Sequence, residues 1–187
     1  MKPPSCSLTV FTIGHSTRQA EDFLALLREH DVGLVIDVRT IPRSRHNPQH
    51  NSEALAPFLE CQGIRYLHMP GLGGLRHPKK DSVNTGWENA SFRGFADYMQ
   101  TPEFSESLGS LIDLGRTTPT AIMCAEAVPW RCHRSLIADA LLVRGITVKD
   151  IIGKGSAREH SLTPWARVNG ERITYPGGKQ EQDQKRH

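Results

Sequence analysis

The chain has 187 residues, 37% of them hydrophobic and 23% charged, and a formal net charge of +3. That length suits one domain with a substantial core, since two independent domains would each be small. The charge is too mild to mark a concentrated nucleic-acid-binding face, and the apolar runs near residues 10–13 and 32–36 fall far short of the roughly 20 residues that span a bilayer, so no membrane role is expected.

The opening stretch MKPPSC has one Lys, two prolines and no apolar region before a cleavage site, so it does not read as a signal peptide and the expected location is cytoplasmic. Four cysteines, Cys6, Cys61, Cys124 and Cys132, are too few and too scattered for a disulfide scaffold. Reduced thiols are expected, with Cys124 and Cys132 able to form a redox pair.

In chain order, Leu8 to Ile13 is rich in β-branched and apolar residues and reads as a buried first strand ending in Gly14-His15-Ser16. Ser16 or Thr17 can cap a helix whose Ala20, Phe23, Leu24 and Leu27 follow helical spacing. Val32 to Val38 is a continuous apolar strand that delivers Asp37 and Arg39 near its carboxyl end. Strand, helix and strand in succession imply a parallel unit. Residues 40–51 carry Arg43, Arg45, His46 and His50 and read as a basic surface loop beside the strand ends. A short helix over Ser52 to Gln62 follows, with Pro57 in its first turn or kinking it. Gly63 to His68 is a third strand, which places His68 at another strand exit.

Residues 71–89, GLGGLRHPKKDSVNTGWEN, form a glycine-rich stretch too long for an ordinary connection, and such loops often serve as lids. No GKS, GKT or GxGxxG is present, which excludes the phosphate-binding P-loop and the dinucleotide fingerprint. Two helices come next, one with Phe92, Phe95, Ala96 and Met99 on a face, the other capped by Thr101 with Pro102 at its first position. Pro119 to Cys124 is the fourth strand, a helix runs from His133 to Gly145, and Ile146 to Ile152 is the fifth strand. Asn169-Gly170 between two short strand-like runs marks a hairpin, and residues 177–187 read as a disordered polar tail. The expected fold is a single α/β domain over residues 1–176, with a mostly parallel central sheet, helices on both faces and a C-terminal β-hairpin.

The stretch 121–139, AIMCAEAVPWRCHRSLIAD, concentrates the chemistry. In a parallel sheet the loops leaving the carboxyl ends of the strands form the ligand crevice, and a helix start supplies N–H donors and a partial positive charge. Cys124, Glu126, Arg131, Cys132, His133 and Arg134 put thiols, an acid or base and guanidinium groups within that one loop. TIGHST, IDVRTIPRSR, HMPGLGG and CAEAVPWRCHRSLIADAL, in this order from about Phe11 to Tyr175, resemble the bacterial and archaeal domain-of-unknown-function family numbered 488. The resemblance implies a compact α/β domain with a shared site made of Gly14, His15, Ser16, Asp37, Arg39, Gly73, Cys124, Glu126, Cys132, His133 and Arg134. It implies no substrate.

Three readings of this site are open. In the first, Cys132 is a thiolate nucleophile, Glu126 and His15 handle protons, Asp37 orients Arg39, and Arg39, Arg43, Arg131 and Arg134 hold an anion. The spacing from Cys124 to Arg131 is one residue longer than the CxxxxxR loop of cysteine phosphatases, which weighs against that particular chemistry. Cys124 can equally be a packed core residue, and Asp37 and Glu126 can simply pair with the arginines beneath the loops. In the second, Cys124, Cys132, His133 and a distant His15 or His68 hold zinc, although neighbours within a helix point about 100° apart, which makes joint ligation by Cys132 and His133 awkward. In the third, the chain is a non-catalytic nucleic-acid-binding or adaptor module that uses its basic residues, with Trp87 or Trp130 stacking on a base. The favoured expectation is an enzyme, a hydrolase or transferase with a reactive cysteine and no cofactor, acting on a small phosphorylated or nucleotide-like anion. Cys132, Glu126, His15 and Cys124 are its candidate catalytic residues, and Arg39, Asp37, Arg43, Arg131, His133, Arg134, His68 and Gly73 its candidate substrate-binding ones.

Overall fold

Continuous apolar runs that alternate β-branched and bulky residues cannot face water on either side, and they make the centre of the fold. A computed structural model describes residues 8–178. Cys6, the MKPPSC start and the expected tail beyond Gly178 lie outside the described residues.

The central sheet has six strands: β1 (Thr9–Gly14), β2 (Leu34–Asp37), β3 (Arg65–His68), β4 (Thr120–Cys124), β5 (Thr147–Ile151) and β6 (Arg158–Glu159), in the order β3-β2-β4-β1-β5-β6. The first five are parallel, and β6 pairs antiparallel with β5. β2 and β4 are buried along their full length, as expected of strands covered on both faces. A separate antiparallel hairpin, β7 (Arg167–Asn169) and β8 (Arg172–Thr174), turns at Asn169-Gly170, where Gly170 takes the left-handed φ of 61°. The α/β architecture and the C-terminal hairpin are those anticipated; the short strand β6 was not.

The strands' alternation sends side chains to two cores. Ile13, Val35, Ala121 and Met123 pack with Phe23, Leu24 and Leu27 of α1 (Ala20–Glu29) and Leu55 and Leu59 of α2 (Ser52–Cys61). Val10, Leu34, Ile36, Ile122 and Cys124 face the other way, against α3 (Ala90–Tyr98), α4 (Pro102–Thr117) and α5 (Arg134–Leu142). Ile173 and Tyr175 pack into this second core and tie the hairpin to it. Among the described residues no helix is long and apolar enough to cross a membrane.

Three local expectations are corrected. Neither Ser16 nor Thr17 caps α1: its N-cap is Gln19, without a side-chain bond, because Ser16 takes a left-handed φ of 50° and donates its N–H to Ala125 O, 2.8 Å away. The loop over 71–89 is pinned rather than free. Asp97, buried on α3, accepts from Lys79 N (2.8 Å), Ser82 Oγ (2.7 Å) and Asn84 Nδ2 (2.7 Å), while Asn84 Oδ1 accepts from Tyr175 N. Finally, α5 begins at Arg134, so Cys132 is not helical; it follows a 3-10 turn over Pro129–Arg131 and has the extended angles φ −138° and ψ 142°.

Candidate functional site

Register brings the strand exits together. Gly14 lies beside Cys124, Asp37 beside Met123, and Asp37 again beside His68, so β1, β2, β3 and β4 all end along one rim. The strand β1 continues past that rim by lying on the β4 loop: His15 N donates to Cys124 O at 2.9 Å. Gly14 is required there, because a Cβ would sit 1.7 Å from the backbone oxygen of Glu126.

At the rim Cys124, Cys132 and His133 form one cluster. The Nδ1 of His133 lies 3.7 Å from Cys132 Sγ and 3.9 Å from Cys124 Sγ, and the three atoms fall within 4.8 Å of one another. Both thiols are buried. His133 Nε2 is 3.0 Å from both Val38 O and Leu72 O. Carbonyls only accept, so Nε2 carries a proton, and Nδ1 is the nitrogen that faces the two sulfurs. Gly74 lies flat against the same ring, where a Cβ would approach Nδ1 to 2.4 Å.

The two thiols are shifted in opposite directions. Cys132 is held well below the ordinary thiol value, chiefly by a hydrogen bond from Cys124, helped by His133 and Arg134 and opposed by burial. Cys124 is pushed well above it by the neighbouring Cys132 and by burial. The two thiols titrate as a coupled pair rather than independently.

Arg134 lies fully buried under the loop. Its guanidinium donates to Glu126 O (2.6 Å), Ala127 O (3.1 Å) and Thr12 Oγ1 (3.4 Å), and so shapes the turn between the two cysteines. No carboxylate touches it directly among the described residues; Thr12 relays it to Asp150 Oδ1 at 2.6 Å.

A second polar group organises the adjacent strand ends. Arg39 Nε donates to Asp37 Oδ1 (2.9 Å) and Nη2 to Asp37 Oδ2 (2.5 Å), with a further bond from Nη2 to His50 O (2.8 Å). Tyr66 OH donates to Asp37 Oδ2 at 2.5 Å, which, with burial, holds the phenol protonated. His15 is buried with both ring nitrogens engaged, Nδ1 with Ser16 O (2.8 Å) and Nε2 with Arg39 Nη1 (3.2 Å). Burial lowers its pKa from 6.5 to about 4 despite the Ser16 bond, so it stays neutral. His68 Nε2 donates to Arg39 O at 2.8 Å.

The structure thus brings His15, Asp37, Arg39, His68, Gly73, Cys124, Cys132, His133 and Arg134 to one rim. Gly73 packs against Thr40, where a Cβ would lie 2.6 Å from Oγ1. Glu126 and Arg131 are exposed on the loop above the thiols. Arg43 points elsewhere and pairs with Glu53 on the exposed side of α2. The reason given against joint ligation falls away, because Cys132 precedes the helix and its sulfur can share a centre with the neighbouring imidazole. His50, expected on a basic surface loop, is instead fully buried and stacked on His15 with ring centroids 4.4 Å apart. Sequence reasoning missed Tyr66 and Gly74. Tyr66 sits in mid-strand, where an aromatic residue reads as packing, and Gly74 was one of several glycines in the same run.

Comparison with known proteins agrees with the motifs. No curated protein and no solved structure matches the chain. A family model described as a domain of unknown function, DUF488, matches residues 19–141, which run from the start of α1 into α5 and include the loop with both cysteines and His133. The chain therefore belongs to the DUF488 family.

Proposed function

We propose that the protein is an enzyme that acts through the Cys132 thiolate on a small anionic, nucleotide-like substrate at the strand-end rim. The observation that carries this reading is the placement of Cys132 Sγ within 4.8 Å of Cys124 Sγ and 3.7 Å from Nδ1 of His133, whose Nε2 is anchored by two carbonyls. A buried thiol kept for packing needs no such neighbours; a nucleophile does. His133 is the group placed to take up a proton beside the sulfur. Glu126, at the exposed mouth, exchanges protons with solvent. His15 and Asp37 position Arg39 rather than move protons, because their polar atoms are committed inside the fold. Of the four arginines expected to hold the anion, Arg39 and Arg134 have their donors turned inward and Arg43 pairs with Glu53; Arg131 is the exposed one on the loop.

The exposed Cys61 provides an internal control. Alkylation by iodoacetamide at mildly acidic pH, mapped by mass spectrometry, is expected to modify Cys132 ahead of Cys61 and to lose that preference in His133→Ala. Labelling of Cys61 first, with Cys132 inert, refutes the nucleophile.

The same three donor atoms favour a second reading, in which Cys124, Cys132 and His133 hold a thiophilic cation such as zinc. Elemental analysis of protein purified without chelators distinguishes the two: about one equivalent of zinc, lost in Cys124→Ser, supports the cation site.

A further inference from the structure

Beside the Pro129–Arg131 turn that leads to Cys132 lies a concavity of about 250 Å³, walled by Trp87, Trp130 and Trp165 with Ser135, Thr163 and His160 among its polar residues. Trp130 and Trp165 are 58% and 44% exposed, an unusual outlay of indole surface to water. Trp87 is held edge-on to Trp165 at 5.1 Å, and its buried Nε1 has no hydrogen-bond partner among the described residues. A buried donor without an acceptor is unfavourable, and a bound acceptor would relieve it.

The pocket shares its wall with the thiol site. Pro129 and Trp130 belong to the turn that ends at Cys132, and Ser135 donates its Oγ–H to Cys132 O at 2.9 Å. The polar side is electrically closed: His160 lies between Asp150 Oδ2 (2.9 Å) and Asp139 Oδ1 (3.2 Å), and the rim residues Arg158 and Glu159 carry opposite charges. The buried carboxylates of Asp150 and Asp139 are already bonded to His160, which leaves the indole faces and the hydroxyls as the surface free for recognition. An uncharged, flat ring with hydrogen-bonding edges fits the indole faces, the orphan donor and the two hydroxyls.

We propose that this pocket binds a nucleobase, stacked on Trp130 and Trp165, with its polar edge toward Trp87 Nε1, Ser135 and Thr163. The base is the ring of the substrate whose reacting end lies at Cys132, and in that respect the inference rests on the thiol-enzyme reading.

All three tryptophans of the chain line this pocket, so intrinsic fluorescence reports from it alone. We expect saturable fluorescence changes, matched by calorimetric binding, with adenosine and AMP at millimolar concentration, and none with ribose 5-phosphate or choline. Trp130→Ala and Trp165→Ala should each weaken binding about tenfold, as loss of a stacking partner does. A short oligodeoxyadenylate binding more tightly than AMP assigns the base to a single strand, and the reverse order to a free nucleotide; either supports the pocket. Absence of saturable binding by adenosine and AMP, equal binding by both tryptophan variants, or choline binding in their place overturns it. Cys132→Ser should bind AMP as the parent does. Base binding alongside an inert Cys132 would remove the thiol reaction and leave the pocket standing, and a reactive Cys132 without base binding would do the opposite.

Discussion

His133 is held on three sides at the rim. Its ring is clamped by two carbonyl acceptors on one edge, packed against Phe95 at 5.0 Å, and covered by the backbone of Gly74. That clamping leaves Nδ1 facing the sulfurs, and it makes Gly74→Ala a sensitive probe. A Cβ 2.4 Å from Nδ1 cannot be accommodated by a small rotation without losing the bonds to Val38 and Leu72. We expect the variant to lose about 1–3 kcal/mol of stability, the usual cost of overpacking. It should also lose the preferential alkylation of Cys132. Chemical denaturation read beside labelling separates the two effects, and an unchanged labelling preference would show that the imidazole is not what activates the thiol.

The loop over 71–89 and helix α3 act as one piece because of Asp97. One buried carboxylate collects three donors from the loop, and Gly94 lets the loop backbone at Arg76 come within contact of the helix. Arg93 donates to Trp87 O at 3.0 Å, and Arg76 lies 3.6 Å over the Tyr98 ring, fastening the loop at both ends. Asp97→Ala removes the shared acceptor and strands Asn84, buried beneath it. Expected is a loss of about 2–4 kcal/mol, from hydrogen bonds to a charged acceptor. Amide hydrogen exchange should quicken over residues 79–84 well before the sheet is affected. Uniform protection in the variant would mean that apolar packing of Trp87 and Phe92, not Asp97, holds the loop.

Two histidines with opposite shifts shape the pH response of the fold, and the buried His50, lowered chiefly by desolvation, adds to the acid side. His15 is buried in its neutral form, with a pKa lowered to about 4 from 6.5, chiefly by desolvation; its contribution is complete above pH 6.5 and is lost as the pH falls through 4. His160 is opposed by burial, yet the carboxylates of Asp139 and Asp150 raise it from 6.5 to about 9, so its contribution is complete below pH 6.5 and is lost as the pH rises through 9. Around it, Tyr175 OH donates to Asp139 Oδ2 at 2.9 Å, and Thr12 joins Asp150 to Arg134. The expected thermal midpoint is therefore highest near pH 6.5 and declines on both sides. His160→Gln should flatten the alkaline side and leave the acid side in place, and an unchanged alkaline slope in that variant would refute the assignment.

Local chemistry was sufficient for the strands, because runs such as Val32 to Val38 have no solvated alternative, and for the hairpin, because Asn169-Gly170 supplies the turn that needs a positive φ. It was sufficient too for the rim, since parallel strands deliver their polar exits to one end. It did not reveal which polar groups are spent inside the fold. Arg39 and Arg134 look like free anion-binding forks in the sequence, yet one closes on Asp37 and the other on loop carbonyls. Nor could helical periodicity place Cys132, because Pro129 diverts the chain into a 3-10 turn before α5 starts. The approach of residues distant along the chain, such as Gly74 to His133 or Asp97 to Asn84, depends on how helices and loops pack over the sheet, and that packing has no local code.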